Sequence, residues 1–398
     1  MKPHTFDIVI SGAGPVGSAL ALMLARRAAE PQRIAVVGRA LSTNSAAAQQ
    51  GRPDPRTLAL NHGSRSLLEQ LGAWPVAAAD ITTVHVSQRG RLGRTLIQQE
   101  ELGVPRLGSV ATYDDVLASL HRALARSGVT VLDEAEPTGA QPEAANPRAE
   151  GTDPHGVTLP IAGGTIRAAL RVRSDGARPR GLTRSYGQHA LLTLARASRP
   201  RPGWAYERFT RHGPLALLPH PAGEGIYGIV WCNTPPEAER LQACSQAQFN
   251  TELGCTFGER LGRLEILADR HVFPLQLHAG PSQLDARSVA IGNAAQTLHP
   301  VAGQGLNLGL RDAAQLALAL APWLAQPDTD PSPALAAFAR LRRPDRWLTA
   351  AVTDFLPRVF ATGNPLAEHA AGLALLGLDL ASPLRIPLAR HLLQGLRR

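Results

Sequence analysis

The sequence predicts an α/β protein: a Rossmann-like dinucleotide-binding domain, discontinuous along the chain, with an inserted antiparallel β-sheet domain and a helical C-terminus. Three observations predict it. A buried-strand run at residues 6–10 leads straight into Gly12-Ala13-Gly14-Pro15-Val16-Gly17, a helical stretch at 18–27 and a second strand at 33–37. Residues 190–231 change to successive short strands. Residues 288–291 then return to a short apolar strand, followed by a glycine-broken loop and an apolar helix to about Leu320.

The first unit carries its chemistry in its turn. Gly12, Gly14 and Gly17 allow the tight bend, the approach of a pyrophosphate and close packing of helix on strand. A lone GxGxxG is weak evidence, but between a strand and a helix, with a second strand closing a βαβ unit, it points to a dinucleotide. The segment 289–312, VAIGNAAQTLHPVAGQGLNLGLRD, has a complementary form. It turns at Gly292, crosses a loop broken by Pro300, Gly303 and Gly305, and enters a helix whose first N–H groups lack intrahelical partners. Glycines there let a planar ligand approach the backbone. The two bends are expected to meet on one ligand.

With 398 residues the chain has room for two domains, and its 44% hydrophobic content is that of a globular protein. Aromatics are only 4%, so the core must be mainly Leu, Ala, Val and Ile. The net charge of +9 comes almost wholly from arginine, Lys2 being the only lysine. These arginines are scattered rather than interleaved with aromatics, which argues against a nucleic-acid partner. Cys232, Cys244 and Cys255 form no CxxC pair and read as reduced thiols. The histidines share no ligand spacing, so no metal site is expected. The first strand begins at once and carries Asp7, and the best apolar run, near 370–384, is interrupted by Asp379 and ends in Pro383. A cytoplasmic location is expected, extended by peripheral contact with the inner membrane surface.

Residues 40–55 are a polar connector, and a helix at 64–71 ends at Gly72. Alternation over 81–96 suggests a hairpin turning near Gly90 and Gly93. An amphipathic helix at 113–126 leads into a strand at 129–132, then a Pro/Ala/Glu/Gly loop at 134–155. A hairpin at 157–172 turns at Gly163-Gly164 and precedes Asp175-Gly176. Strands at 190–195, 205–210, 215–218 and 225–231 build the inserted sheet; Trp204, Tyr206, Trp231 and Phe273 either line its inner face or pack its core. Helices are expected at 334–342, 345–360 and 384–396, with arginines that suit a membrane-facing or partner-facing surface. The dinucleotide domain is assigned to residues 1–74, 105–178 and 283–345, the sheet domain to 75–104 and 179–282, and the terminal helices to 346–398.

Three motifs, Gly12 to Gly17, the Asp175-Gly176 turn and the HPVAGQGLNLGLRDA string, resemble the FAD-dependent aromatic hydroxylases of the para-hydroxybenzoate hydroxylase type. The chain is most similar to the ubiquinone-biosynthesis hydroxylase family. Arg56 with Ala59-Leu60, Glu207-Arg208-Phe209, Phe273-Pro274-Leu275 and Arg342-Arg343 before Asp345 support the resemblance, which covers the whole chain. It implies an FAD domain under a β-sheet substrate domain. Reduced flavin would react with O2 to a C4a-hydroperoxide that hands OH to an electron-rich ring, the electrons coming from NAD(P)H or a reductase. The substrate would be an aromatic or polyprenylated phenol, with a biosynthetic complex as a further partner. By matching motif, Gly12, Gly14, Pro15, Val16 and Gly17 would hold the pyrophosphate. Arg39, Arg56, Asp175, Gly292, Asn293, Gly303, Gly305, Leu306 and Asn307 would complete the cofactor site. His299, Pro300, Gly303 and Gln304 would stand at its reacting end.

Four positions depart from the family pattern. Gly38 ends the second strand where an acidic residue usually meets the adenine ribose. Asn293 stands for Asp, Gln296 for His, and Asp114 lies where a basic residue often approaches the cofactor. These leave open a catalytically impaired paralogue acting as a scaffold, besides a hydroxylase of small aromatic acids. Arg39 also raises an NADP-dependent reductase, which would leave residues 292–309 without a purpose.

Overall fold

The computed structural model describes residues 5–38, 54–75, 77–91, 93–133, 152–153, 156–176, 181–298, 303–360, 365–381, 383, 385–387 and 389–390. The chain opens with β1 (Phe6–Ser11), buried on both faces as an apolar parallel strand should be. Helix α1 (Pro15–Ala25) starts on proline, whose missing N–H costs nothing at that position. It returns the chain to β2 (Ile34–Gly38), with Ile8 set against Ile34.

Next come β3 (Thr57–Asn61) and α2 (His62–Gln70), capped by the Asn61 side chain accepting from the Ser64 N–H. Strand β4 (Ala79–Ile81) precedes the hairpin β5 (Thr83–Gln88) and β6 (Arg94–Gln98), with Gly90 at φ +70° in its turn. After α3 (Gln99–Leu102) come β7 (Gly108–Thr112), α4 (Tyr113–Leu124) and β8 (Thr130–Asp133). Strands β9 (Thr152–Asp153), β10 (Gly156–Ile161) and β11 (Gly164–Arg173) follow. The loop expected at 134–155 lies mostly outside the described residues.

The inserted unit begins with the long β12 (Leu182–Ala197) and continues through β13 (Trp204–Phe209), β14 (Pro214–Pro219) and β15 (Ile226–Asn233). Two helices that the sequence reading did not foresee, α5 (Pro235–Ala243) and α6 (Gln246–Phe257), come next. The latter starts on a reciprocal Ser245–Gln248 capping box. Then come β16 (Leu264–Ile266), β17 (His271–Ala279), β18 (Ser288–Ala290) and β19 (Gln296–Thr297). The chain ends in α7 (Gln304–Leu320), α8 (Ser332–Phe360) and α9 (Pro365–Leu380).

The strands form three sheets. One runs β8-β2-β1-β11-β10-β9, with β18 joining the end of β11 in parallel. A three-stranded sheet runs β3-β7-β4, and the third runs β19-β17-β12-β15-β14-β13-β5-β6 with β16 on β12. Ile8, Ile10, Leu20, Leu24, Val36, Leu120, Leu310 and Leu316 belong to the main core, which joins the first sheet to α1, α4 and α7. A second core joins Leu191, Leu215, Ile229 and Trp231 to Phe249, Leu253 and Phe257 of α6.

One expectation is corrected and one open alternative is decided. The C-terminal helix does not break between Arg342 and Asp345; α8 passes through Pro344 as one helix. Interior proline costs about 3 kcal/mol, and here a buried ion cluster ties the helix to α7 on either side of it: Arg342 meets Asp312 at 2.8 Å and Asp345 at 2.6 Å, and Arg311 meets Asp345 at 3.0 Å. Of the two alternatives for Trp231, core packing holds: it packs edge-on against Phe249 in the second core, beside which Trp204 also lies. Alternation along β15 places Val230 on the opposite, cavity-lining face.

Helix α9 docks on the edge of the third sheet. Asp379 accepts from the N–H of Leu96, so a backbone donor of edge strand β6 that could recruit another strand is occupied, and the Thr95 hydroxyl donates to the carbonyl of Leu375.

Candidate active site

A cavity of about 1620 Å³ lies between the sheets. Among the described residues it is lined at one end by Gly12, Gly14, Pro15, Val16 and Gly38, and in its middle by the start of α7. Beyond that it is walled by the third sheet and by Leu375 of α9. Gly14 and Gly305 therefore open onto one space. The two glycine segments also touch: a Cβ on Gly309 would lie 2.7 Å from Val16 Cγ2, and one on Gly292 3.2 Å from it.

The turn after β1 is built by close approach. Gly12 has φ +108°, and a Cβ there would lie 2.6 Å from the Asp175 nitrogen. A Cβ on Gly17 would lie 2.1 Å from the Gly12 carbonyl oxygen. The Ser174 hydroxyl donates to the Ser11 and Gly12 carbonyls, each at 3.0 Å, and Ser18 donates to the Ala13 carbonyl. Gly14 is different. Among the described residues a Cβ there would meet only the Tyr113 hydroxyl, at 4.0 Å, so its emptiness serves the cavity rather than the packing.

Helix α7 starts from Gly303 at φ +60°, where a Cβ would lie 3.0 Å from that of Ala59. Its first four residues, Gln304 to Asn307, all line the cavity, so the positive end of the helix dipole faces it. Among the described residues, nothing beyond its own helix and chain neighbours lies within 4 Å of a Cβ on Gly305. Two side chains here turn out to be structural. Asn307 donates to the carbonyls of Ala59 and Gly303 and accepts from the Asn61 N–H, tying α7 to β3. Gln304 is buried and accepts from Arg311 at 3.2 Å. What these two positions can offer a ligand is backbone.

Arg56, Asp175, Gly176, Asn293 and Leu306 also line the cavity. Arg56 lies 4.2 Å over the Tyr113 ring and pairs with Asp54, whose hydrogen bonding raises the guanidinium pKa against burial. Asp175 is 3.6 Å from Arg173. Gly292 is buried, and its N–H donates to Asp312 at 3.3 Å. Arg39, His299 and Pro300 lie outside the described residues.

Three of the four departures have local explanations. Gly38 lines the cavity, and a Cβ there would lie 2.5 Å from that of Ala13 and 2.9 Å from its nitrogen, so the glycine permits tight packing of β2 on the turn. Asp114 accepts from the Asp54 N–H at 3.0 Å and is not among the cavity-lining residues. Gln296 is buried and accepts from Arg346, which also donates to Ser282 and to the carbonyls of Gly280 and Ala295. It therefore pins the loop to α8. Asn293 is exposed beside Gly176.

Several lining residues carry no signal local enough to be found from sequence. His121 on α4 contacts the Ala13 carbonyl at 2.9 Å, and Tyr113 and Arg171 also face the cavity. Glu207 was legible only as part of a three-residue signature. Behind the sheet, burial pushes the Tyr206 hydroxyl up to about 12 and, with Arg260 nearby, the Arg208 guanidinium down to about 10.

The family described as FAD binding domain matches residues 5–331. The chain belongs to that family. Ubiquinone hydroxylase UbiL of Rhodospirillum rubrum is 31% identical over 98% of this chain and 90% of its own. The 3-demethoxyubiquinol 3-hydroxylase of Escherichia coli is 27% identical over 97% of each. Among solved structures, p-nitrophenol 4-monooxygenase PnpA from Pseudomonas putida DLL-E4 aligns with TM-score 0.68 at 16% identity, over 98% of both chains. Klebsiella pneumoniae HpxO complexed with FAD and uric acid aligns with TM-score 0.69 at 14% identity, over 98% and 97%. Within the FAD binding domain family, this chain is an FAD-dependent monooxygenase of the ubiquinone-biosynthesis hydroxylase type. The cavity fits the cofactor: two glycines open onto it without a packing reason, and a helix start faces it.

Proposed function

We propose that the protein hydroxylates the aromatic ring of a polyprenylated phenol in quinone biosynthesis, with FAD as cofactor, O2 as cosubstrate and NAD(P)H or a reductase as electron source. The observation that carries this reading is the continuity of one cavity from the dinucleotide turn past α7 to an apolar wall that ends at Leu375 and Ala389. Bound FAD would supply the reduced ring that activates oxygen. The N–H groups at the start of α7 would favour negative charge beside them. The apolar sheet face would exclude water and seat the ring and the first isoprene units. Arg385, which pairs with Glu101 at 2.6 Å, stands at the far end.

NAD(P)H oxidation by the FAD-loaded protein, with and without a 2-prenylphenol, tests this. Hydroxylated product should accumulate with oxidation that rises on adding the phenol. FAD binding with no product from any prenylphenol would favour the scaffold alternative, and turnover of small aromatic acids alone would favour that substrate class instead.

Peripheral membrane contact through the terminal helices belongs to the same proposal. Leu341, Trp347, Leu348 and Phe355 are exposed along α8, and Leu373, Leu376 and Leu380 along α9, with Arg340 and Arg343 exposed beside them. Aromatic and aliphatic side chains flanked by arginine suit the headgroup boundary of an anionic bilayer. Among the described residues no helix is long and apolar enough to cross a membrane. Flotation with anionic liposomes should carry the full chain, and Trp347→Asp with Phe355→Asp should leave it at the bottom; equal flotation would remove this part of the proposal.

A further inference from the structure

Among the described residues, the wall that the third sheet presents to the cavity is mainly apolar, with Thr95, Tyr206 and Thr297 as uncharged polar members, and it carries a charge at one place. Strand β13 alternates: Arg208 turns away and donates to the Thr256 carbonyl of α6 at 2.9 Å, whereas Ala205, Glu207 and Phe209 line the cavity. Strand register sets Glu207 between Val86 of β5 and Ala216 of β14, and the same row continues through Val230 to Leu192. All four of these neighbours line the cavity. The other carboxylate among the described lining residues, Asp175, belongs to the dinucleotide end. A carboxylate in an apolar wall is costly unless it is hydrogen-bonded. With about four lone-pair sites it keeps acceptor capacity beyond a partner within the chain. Ala205 and Ala216 beside it are small side chains, which leaves room for a flat ring against this stretch of the sheet.

We infer that Glu207 is the residue that accepts the hydroxyl hydrogen of a phenolic substrate and so fixes which edge of the ring faces the cofactor. This rests on the proposed hydroxylation of a phenol. A hydrogen bond from the phenol O–H to a carboxylate moves electron density into the ring and favours its attack on an electrophilic oxygen. It also makes the site select phenols over their ethers, which have no hydrogen to donate.

The test uses FAD-loaded protein and two probes, 2-prenylphenol and its methyl ether, with binding read from the change in flavin fluorescence. The wild type should prefer the phenol roughly ten- to hundredfold, the range for a hydrogen bond to a charged group. Glu207→Leu, whose side chain suits a site bounded by Val86 and Ala216, should bind both probes alike and keep the wild-type affinity for the ether. Glu207→Gln, which retains an acceptor without the charge, should keep a preference of only a few-fold, and carries the test should the leucine variant fail to hold FAD. In both variants more of the NAD(P)H consumed should appear as hydrogen peroxide instead of hydroxylated product. An undiminished preference in the variants, or its absence in the wild type, would overturn the inference while leaving hydroxylation standing. A wild type that holds FAD and binds neither probe would overturn the phenol reading, and this inference with it.

Discussion

Removing the Arg342 side chain as Arg342→Leu should destabilise the protein more than any surface change. Its guanidinium is 6% exposed between two carboxylates, Asp312 at 1% and Asp345 at 3%. Burial alone would lower its pKa, but Asp312 and Asp345 hold it above the ordinary value. In the variant Asp345 keeps Arg311, at 3.0 Å, while Asp312 keeps one hydrogen bond, from the Gly292 N–H at 3.3 Å, and the more distant charges of Arg311 and Arg346. Breaking a buried pair by deleting one partner costs about 3–5 kcal/mol, because the other charge stays behind. At about 2–4 °C per kcal/mol for a domain of 150–250 residues, the melting midpoint should fall by roughly 6–20 °C. Asp312→Asn in the same background removes the stranded charge and should recover part of the loss. Thermal melts followed by circular dichroism at neutral pH are the assay. A midpoint for Arg342→Leu within about 2 °C of wild type would refute the assignment of this cluster as the tie between α7, α8 and the Gly292 turn.

Three further outcomes follow from the geometry. Gly17→Ala puts a carbon 2.1 Å from the Gly12 carbonyl oxygen, so it should lose FAD binding and about 1–3 kcal/mol in urea unfolding; near-native values would contradict the close approach. Gly38→Glu restores the acidic residue usual in the family, yet its Cβ would lie 2.5 Å from that of Ala13; calorimetry should find FAD affinity unchanged or weaker, and tighter binding would show that the turn yields. His85 is buried beside Arg260, and desolvation first, then that charge, lowers its pKa from 6.5 to about 4. The unfolded chain therefore takes the proton first, and the contribution of His85 is whole above pH 6.5, declines as pH falls towards 4 and is lost below. At 1.36 kcal/mol per unit this is at most roughly 3 kcal/mol, reduced by solvent screening. Unfolding free energies of wild type and His85→Leu, compared at neutral pH and near pH 5, should show the variant losing less on acidification; parallel loss would contradict the assignment.

What could be read in advance follows the range of the forces involved. Strand β1, its turn and α1 are encoded by an unbroken apolar run and three closely spaced glycines, and α7 by Gly303, Gly305 and an apolar stripe. Both lie where the sequence puts them. Helix α8 was divided because Pro344 is a strong local breaker, whereas Asp312, which helps hold the helix together, is 30 residues away in the chain. The roles of Asp114 and Gln296 depend on Asp54 and Arg346, 60 and 50 residues away, so their residue types alone suggested a damaged cofactor site. Trp231 could be placed on either face of its sheet until α6 supplied Phe249 as its neighbour. The backbone roles of Gln304 and Asn307 were hidden for the same reason: their side chains are taken by Arg311 and by β3.

The most direct measurement is FAD content after saturation and gel filtration, for the wild type and for Gly14→Val and Gly305→Val. Among the described residues, neither glycine has an atom of another part of the chain closer than 4.0 Å to its missing Cβ, so both variants should fold and melt close to wild type. One FAD per chain in the wild type, and none in either variant, is the predicted result. Full flavin content in both variants would contradict a cofactor gripped between the β1 turn and the start of α7.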